Sequence, residues 1–382
     1  MRAKASSIQG LQHAAGSQGR HGGVSRPGRP ESRRKLYPPY EAPVNRGPRH
    51  ASHSARERHC RVTAAPNFRN THCMRGQRGM GHGTVESNEA MEAEIQPCEI
   101  ETPHEVLAPE AQTLPLVVAS PHSGRNYPPA FVAASRLDRL NLRRSEDGFV
   151  DELFAAAPDM GAPLLRANFP RAYVDANREP FELDPRMFRD NLPGYANTRS
   201  PRVAAGLGTI ARVVASGADI YREKLPFSEA LHRIRSYYWP YHNALRGLIE
   251  TTESRFGGCI LLDCHSMPSV GGPMDRDAGH RRVDFVLGDC HGTSCGAKVA
   301  ETAERALTGM GYHVTRNTPY SGGFVTRHYG RPDQGAHALQ IEINRALYMD
   351  ERNVRRLPGI SVLREDLRQL IAALGALDPT SL

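Results

Sequence analysis

Two histidines carry the first chemical signal in this sequence. His122 follows the apolar run in "LPLVVASPHSG", and His265 follows that in "GGCILLDCHSMPS". Both runs read as buried strands feeding loops. A third apolar run, "HALQIEINR", alternates: Leu339, Ile341 and Ile343 fall on one face, and Gln340, Glu342 and Asn344 on the other. In open α/β sheets, ligands bind at the carboxyl ends of strands. Two imidazoles and a carboxylate brought there form the donor set of a catalytic zinc site with one open position. Asp263, two residues before His265, can accept a hydrogen bond from a ligating imidazole and fix its tautomer. A single strand-end histidine is more often an ordinary satisfied polar residue; two of them beside acids favour the metal reading.

Two further segments concentrate polar residues. "FPRAYVDANR" packs Arg171, Asp175, Asn177 and Arg178 into eight residues, and "YSGGFVTRHYGRPDQG" collects Arg327, His328, Tyr329 and Arg331 behind Gly322 and Gly323. An arginine fork matches a carboxylate, although a structural ion-pair loop has the same composition. Cys264 beside His265 is no nucleophile pair, because neighbours in a strand point to opposite faces.

The elements that must position these residues alternate in type. Strands are expected at 114–120, on both sides of Pro170, at 259–263, within "RVDFVLGD" and at 337–345. Helices are expected from "DGFVDELF", over 219–255 as one or two helices interrupted or kinked at Pro240, from "GAKVAETAERALTGMGY" and from "SVLREDLRQLIAALGAL". The fold class is therefore α/β, with a mostly parallel or mixed twisted sheet flanked by helices. The Pro-rich stretch 179–208 is long for a connection, which suggests a functional loop.

Charge divides the chain. The net charge is +8, yet residues 1–80 hold 16 basic and 3 acidic residues, leaving 33 and 38 for the remainder. The basic character thus belongs to a Gly- and Pro-rich segment without apolar periodicity, and the body is mildly acidic. Residues 1–105 are expected to be a disordered basic tail, or an extension ahead of a true start at Met80 or Met91, and 106–382 the catalytic domain. This distribution argues against a nucleic-acid partner. The seven cysteines form no CxxC pair and their number is odd, which fits reduced thiols in the cytoplasm. No apolar run is long enough for a membrane span.

Taken in order, "SPHSG", "DGFVDELF", "FPRAYVDANR", "DCHSMPS", "GGFVTRHYGRP" and "LQIEINRALYMDE" resemble the N-formylglutamate amidohydrolase (deformylase) family over residues 113–375. That family is related to the zinc carboxypeptidases and aspartoacylase-like hydrolases. The resemblance implies a zinc carboxypeptidase-like (phosphorylase/hydrolase-like) fold and a Zn2+-dependent (or other divalent-metal) hydrolase. It would release formate from N-formyl-L-glutamate, in histidine degradation. Its partner would be a small molecule, an N-formyl dicarboxylic amino acid.

Residue by residue, the resemblance implies His122 and His265 as metal ligands, Glu342 as general base and Arg171 as the group polarising the scissile carbonyl. Asn177 and Arg178 would hold one substrate carboxylate, and Arg327, with His328 and Tyr329, the other. The related carboxypeptidases carry His-x-x-Glu, but here Arg125 stands where that Glu would be. The third ligand then falls to the acidic cluster, to Asp147 first, with Asp151 or Glu146 as alternatives. Rival readings are an amidohydrolase for another N-formyl or N-acyl amino acid, a non-catalytic binding protein, and a nucleic-acid-binding protein acting through the tail.

Overall fold

A computed structural model describes residues 100–273 and 275–382. Most of the expected tail, residues 1–99, lies outside the described residues. Seven strands form one mixed sheet in the order β1-β3-β2-β4-β7-β5-β6. They are β1 (His104–Leu107), β2 (Leu116–Ser120), β3 (Leu164–Ala167), β4 (Cys259–Met267), β5 (Phe285–Gly288), β6 (Val314–Arg316) and β7 (Ala336–Asn344). The central pairs β3/β2, β2/β4 and β4/β7 are parallel, while β1/β3 and β5/β7 are antiparallel. Strand β1 begins before the expected boundary at 106, so the folded body starts earlier.

Helices α1 (Pro129–Ala134), α2 (Arg139–Arg143) and α3 (Val150–Leu153) follow β2; α4 (Pro201–Ala204), α5 (Phe227–Arg233) and α6 (Trp239–Phe256) precede β4. Then come α7 (Ala297–Gly309), α8 (Phe324–Tyr329) and α9 (Gly359–Gly375). Residues of α3, α7 and α9 pack on one sheet face, against Leu116, Val118, Ile260, Leu262, Leu339 and Ile341. Because side chains alternate along a strand, the other face carries Val117 and Leu261, on strands that α6 packs against, and Ala338, on the strand that α8 packs against. On this second face the strands change character at their carboxyl ends: β4 ends with Asp263 and His265, and β7 with Gln340 and Glu342. An apolar seam thus opens into a polar pocket beyond the reach of α6.

Three local expectations are corrected. Strand β4 continues past the expected end at 263 to Met267, so His265 is a strand residue rather than one that follows the strand. Only one strand, β3, forms near Pro170; "AYVDANR" is a series of turns braced by backbone bonds from Tyr173 and Val174 to Pro170 O. The interruption expected at Pro240 takes the form of a π-helical turn, Ile234–Tyr238, which joins α5 to α6 just before that proline. Stretch 179–208 contains the short helix α4, N-capped by the Ser200 side chain on the Val203 N–H.

Leu262 is fully buried, with Val118 and Leu339 as its cross-strand neighbours. Leu262→Ala is expected to cost roughly 2–5 kcal/mol, the range for buried Leu truncation, measured by denaturant unfolding. A loss below about 1 kcal/mol would mean that this layer is not the core.

Candidate active site

Register delivers the first pair. In the β4/β7 ladder His265 is the partner of Glu342, and Asp263 of Gln340, so all four side chains share the pocket face. His122 arrives just past the end of β2. The backbone N–H of Asp147 donates to His122 O at 3.0 Å, which ties the start of the α3 segment to the strand end. Phe149, at φ +66°, then turns the chain sharply into α3 with its ring buried. A bulky residue in the left-handed region is uncommon, and here it holds Asp147 at the mouth of the pocket.

Three donor groups converge. His122 Nδ1 lies 3.2 Å and His265 Nδ1 3.0 Å from the same oxygen, Asp147 Oδ2. His122, Asp147 and His265 are each buried, and one ligand atom from each lies within 4.8 Å of the others. The far sides of the rings meet carboxylates. His122 Nε2 is 2.7 Å from Asp175 Oδ1. His265 Nε2 is 2.9 Å from Asp263 Oδ1, a charge contact out of hydrogen-bond alignment, since that buried oxygen has no hydrogen-bond partner. Asn177 Nδ2 donates to Asp263 Oδ2 at 3.1 Å and lies 3.0 Å from His265 Nε2. Two Nδ1 atoms and a carboxylate oxygen, with acids behind both rings, fit a divalent cation. Binding would require the Nε2–H tautomers; Asp175 stands as the acceptor behind His122, while the neighbours of His265 Nε2 are the Asp263 carboxylate and the Asn177 amide.

Guanidinium groups surround this trio. Arg345 Nη2 donates to Asp147 Oδ1 at 2.9 Å and its Nε to Ser266 Oγ at 3.0 Å, which leaves Oδ2 of Asp147 facing the imidazoles. Arg171 Nη2 donates to Asp175 Oδ2 at 2.8 Å, and its Nη1 is 3.7 Å from Asp147 Oδ1. Burial disfavours charge on both acids, but it is outweighed. Hydrogen bonds with His122 and His265 and the charge of Arg171 hold Asp147 well below the usual carboxylate range; Arg178, His122 and Arg171 do the same for Asp175. Glu342 is different. Burial pushes it up to about 7, against the pull of His265, and its Oε1 accepts from Gln340 Nε2 at 2.8 Å.

Asp263 excepted, the side chains of this network line one cavity of about 430 Å³, whose wall also takes in Arg178, Arg202 and residues of the segment 205–215. Several expected binding residues are placed elsewhere. Arg327, His328 and Tyr329 lie on α8 and do not line the cavity. There a helix forms where a loop was expected, turning Arg327 and His328 to solvent, while the Tyr329 hydroxyl meets His242 Nδ1 at 2.9 Å. Asn177 lines the cavity, but its amide is committed to Asp263, His265 and the Val325 N–H, so it braces the site. Gly323 makes this possible, since a Cβ there would sit 2.2 Å from Asn177 Oδ1. The alternative ligands are engaged too: Asp151 with Arg166, and Glu146 with Tyr127 and Arg143. Arg125 pairs with Glu152 outside the cavity. Sequence reasoning missed Arg345 and Arg202. Arg345 directly follows the strand that carries Glu342, which is a usable signal, whereas Arg202 stands in no pattern at all.

Among the described residues no helix is long and apolar enough to cross a membrane. Residues 114–349 match the profile of the family described as N-formylglutamate amidohydrolase. The chain is 31% identical over 275 residues to an N-formylglutamate deformylase of Pseudomonas aeruginosa, covering 71% of this chain and 96% of that one. It is 29% identical over 268 residues to an N-formylglutamate deformylase of Pseudomonas putida, covering 68% and 93%. The crystal structure of an N-formylglutamate amidohydrolase from Ralstonia eutropha JMP134 superposes with a TM-score of 0.67 at 36% identity, over 73% of this chain and 99% of that one.

Removing the carboxylate charge behind His122 should loosen the donor set without touching it. Asp175→Asn is expected to weaken divalent-cation affinity by roughly 10- to 100-fold, read by competition with a chromophoric chelator. Unchanged affinity would exclude Asp175 as the residue that orients His122.

Proposed function

Because the chain belongs to the N-formylglutamate amidohydrolase family, we propose that it hydrolyses N-formyl-L-glutamate to formate and L-glutamate, with a divalent cation held by His122, Asp147 and His265. The observation that carries this reading is the convergence of two imidazole Nδ1 atoms on one oxygen of Asp147, with Glu342 beside His265 on the next strand. Zinc suits two nitrogens and one oxygen with a position left open. When bound, such a cation lowers the pKa of a coordinated water and polarises a carbonyl.

The remaining steps belong to the chain. Glu342 is the general base, taking a proton from the attacking water and passing it to the departing amine nitrogen. Burial keeps it a weak enough acid to do both. Arg171, held by Asp175 and facing Asp147, supplies a fixed positive charge for the developing oxyanion. Arg178 binds the α-carboxylate. Its Nε and Nη1 donate to Leu207 O and Asn177 O at 2.9 and 2.8 Å, which orients the guanidinium. Burial, aggravated by Arg202 and Arg171, lowers its pKa to about 10, so an anion arriving there relieves a poorly compensated cation. The pocket, of about 430 Å³, suits a small polar amino-acid derivative, as a reaction in amino-acid breakdown such as histidine degradation would supply.

Two outcomes test this. Formate release from N-formylglutamate should vanish on chelation and return with one equivalent of zinc; full activity of metal-free protein would refute the cation's role. Glu342→Gln should lower kcat by at least about 100-fold with little change in KM. In the wild type, kcat/KM should fall as the pH drops through the Glu342 pKa, because the base is then protonated. That limb lies at or below about 7, since a bound cation draws the value down, and it should be missing from the residual activity of the variant. A Glu342→Gln enzyme with near-normal kcat would remove Glu342 from the mechanism.

A further inference from the structure

Among the described residues four arginines line the cavity: Arg171, Arg178, Arg202 and Arg345. Three have their guanidinium groups anchored, Arg171 by Asp175, Arg178 by two backbone carbonyls, and Arg345 by Asp147 and Ser266. Arg202 differs. Among the described residues its side chain makes no hydrogen bond and no ion pair, although it is only partly exposed. Its surroundings are unfavourable for a cation: burial lowers its pKa, the charges of Arg327 and Arg171 add to that, and Glu182 and Asp175 offset only part of it. The acids that line the cavity are engaged elsewhere: Asp147 by Arg345, Asp175 by Arg171, Glu342 by Gln340 and Asp275 by Arg282.

A half-buried guanidinium left without an anion, on the wall of a pocket, is a binding site for a carboxylate. The neighbouring wall supports this. Ala205, Leu207, Ala211 and Val213 give an apolar surface along which methylene groups can lie. Helix α4 holds Arg202 in place through the Ser200 cap and through the backbone bond from Leu207 N to Arg202 O at 2.8 Å.

We propose that Arg202 binds the side-chain carboxylate of the substrate and so makes the enzyme selective for dicarboxylic amino acids over their neutral isosteres. Resting on the function proposed above, this assigns to Arg202 the contact that sequence reasoning gave to Arg327. Arg178 takes the carboxylate next to the amide, the carbon chain crosses the apolar wall, and Arg202 closes the far end. A neutral amide in place of that carboxylate leaves the guanidinium desolvated and unpaired, which is the source of discrimination.

The test is calorimetric binding of L-glutamate and L-glutamine to the metal-loaded protein, for wild type, Arg202→Met and Arg202→Lys. Wild type should prefer glutamate by roughly 10- to 100-fold, the range for a charged hydrogen-bonded contact. In Arg202→Met the preference should collapse toward unity, and Arg202→Lys should keep part of it. A wild type that does not prefer glutamate overturns the assignment. So does an Arg202→Met protein that keeps the wild-type ratio; should that variant fail to fold, the same ratio in Arg202→Gln decides. Formate release from N-formylglutamate is measured alongside. Arg202-dependent discrimination without formate release sinks the proposed reaction and keeps the subsite. Formate release with an Arg202-independent ratio sinks the subsite alone.

Discussion

The parallel pairing of β4 with β7 is the constraint on which the site depends. Nine consecutive register pairs, from Cys259 with Ala336 to Met267 with Asn344, make these two strands the longest in the sheet. Apolar residues of both strands lie against α3, α7 and α9, so the register is set by burial of Ile260, Leu262, Leu339 and Ile341. A slip of one residue would turn those side chains toward the pocket and the polar set into the core. The same burial that stabilises the sheet therefore makes His265 and Glu342 neighbours.

Around that pair the chain solves an electrostatic problem. Asp147, Asp175, Asp263 and Glu342 are all buried, and ionised groups in such a place need partners. Arg171 and Arg345 serve Asp147 from one side, and the imidazoles meet it from the other. Asp175 links His122 to Arg171, and Asn177 links Asp263 to the first turn of α8. Each side chain near the ligand trio is held by at least one other. The pocket can therefore present fixed charges to a substrate with little rearrangement, which is the condition for electrostatic stabilisation of a developing oxyanion.

Much of this was legible in the sequence because strands obey a period of two. The alternation in "HALQIEINR" gives Glu342 its face, and the apolar runs before His122 and His265 place both at strand ends. The mixed α/β sheet follows from the alternation of elements. Residues off the strands were harder. Asp147 reaches the site through a backbone bond to His122 and a left-handed turn at Phe149, neither of which has a pattern in the sequence; it was named from family resemblance. Arg327 and Tyr329 looked like ligand contacts because they follow two glycines. Yet "FVTRHY" folds as a helix, and those glycines make room for Asn177, Cys290 and Thr326 instead. Arg202 was invisible because its role comes from what it lacks, a partner, and only a tertiary structure reveals that.

The central claim is that one cation is held jointly by residues 122, 147 and 265. Anomalous diffraction at the zinc absorption edge, from crystals of the zinc-loaded protein, tests it most directly. The account predicts a single strong peak about 2.0–2.2 Å from His122 Nδ1, His265 Nδ1 and a carboxylate oxygen of Asp147. A peak bound by other residues, or none between these three, would contradict it.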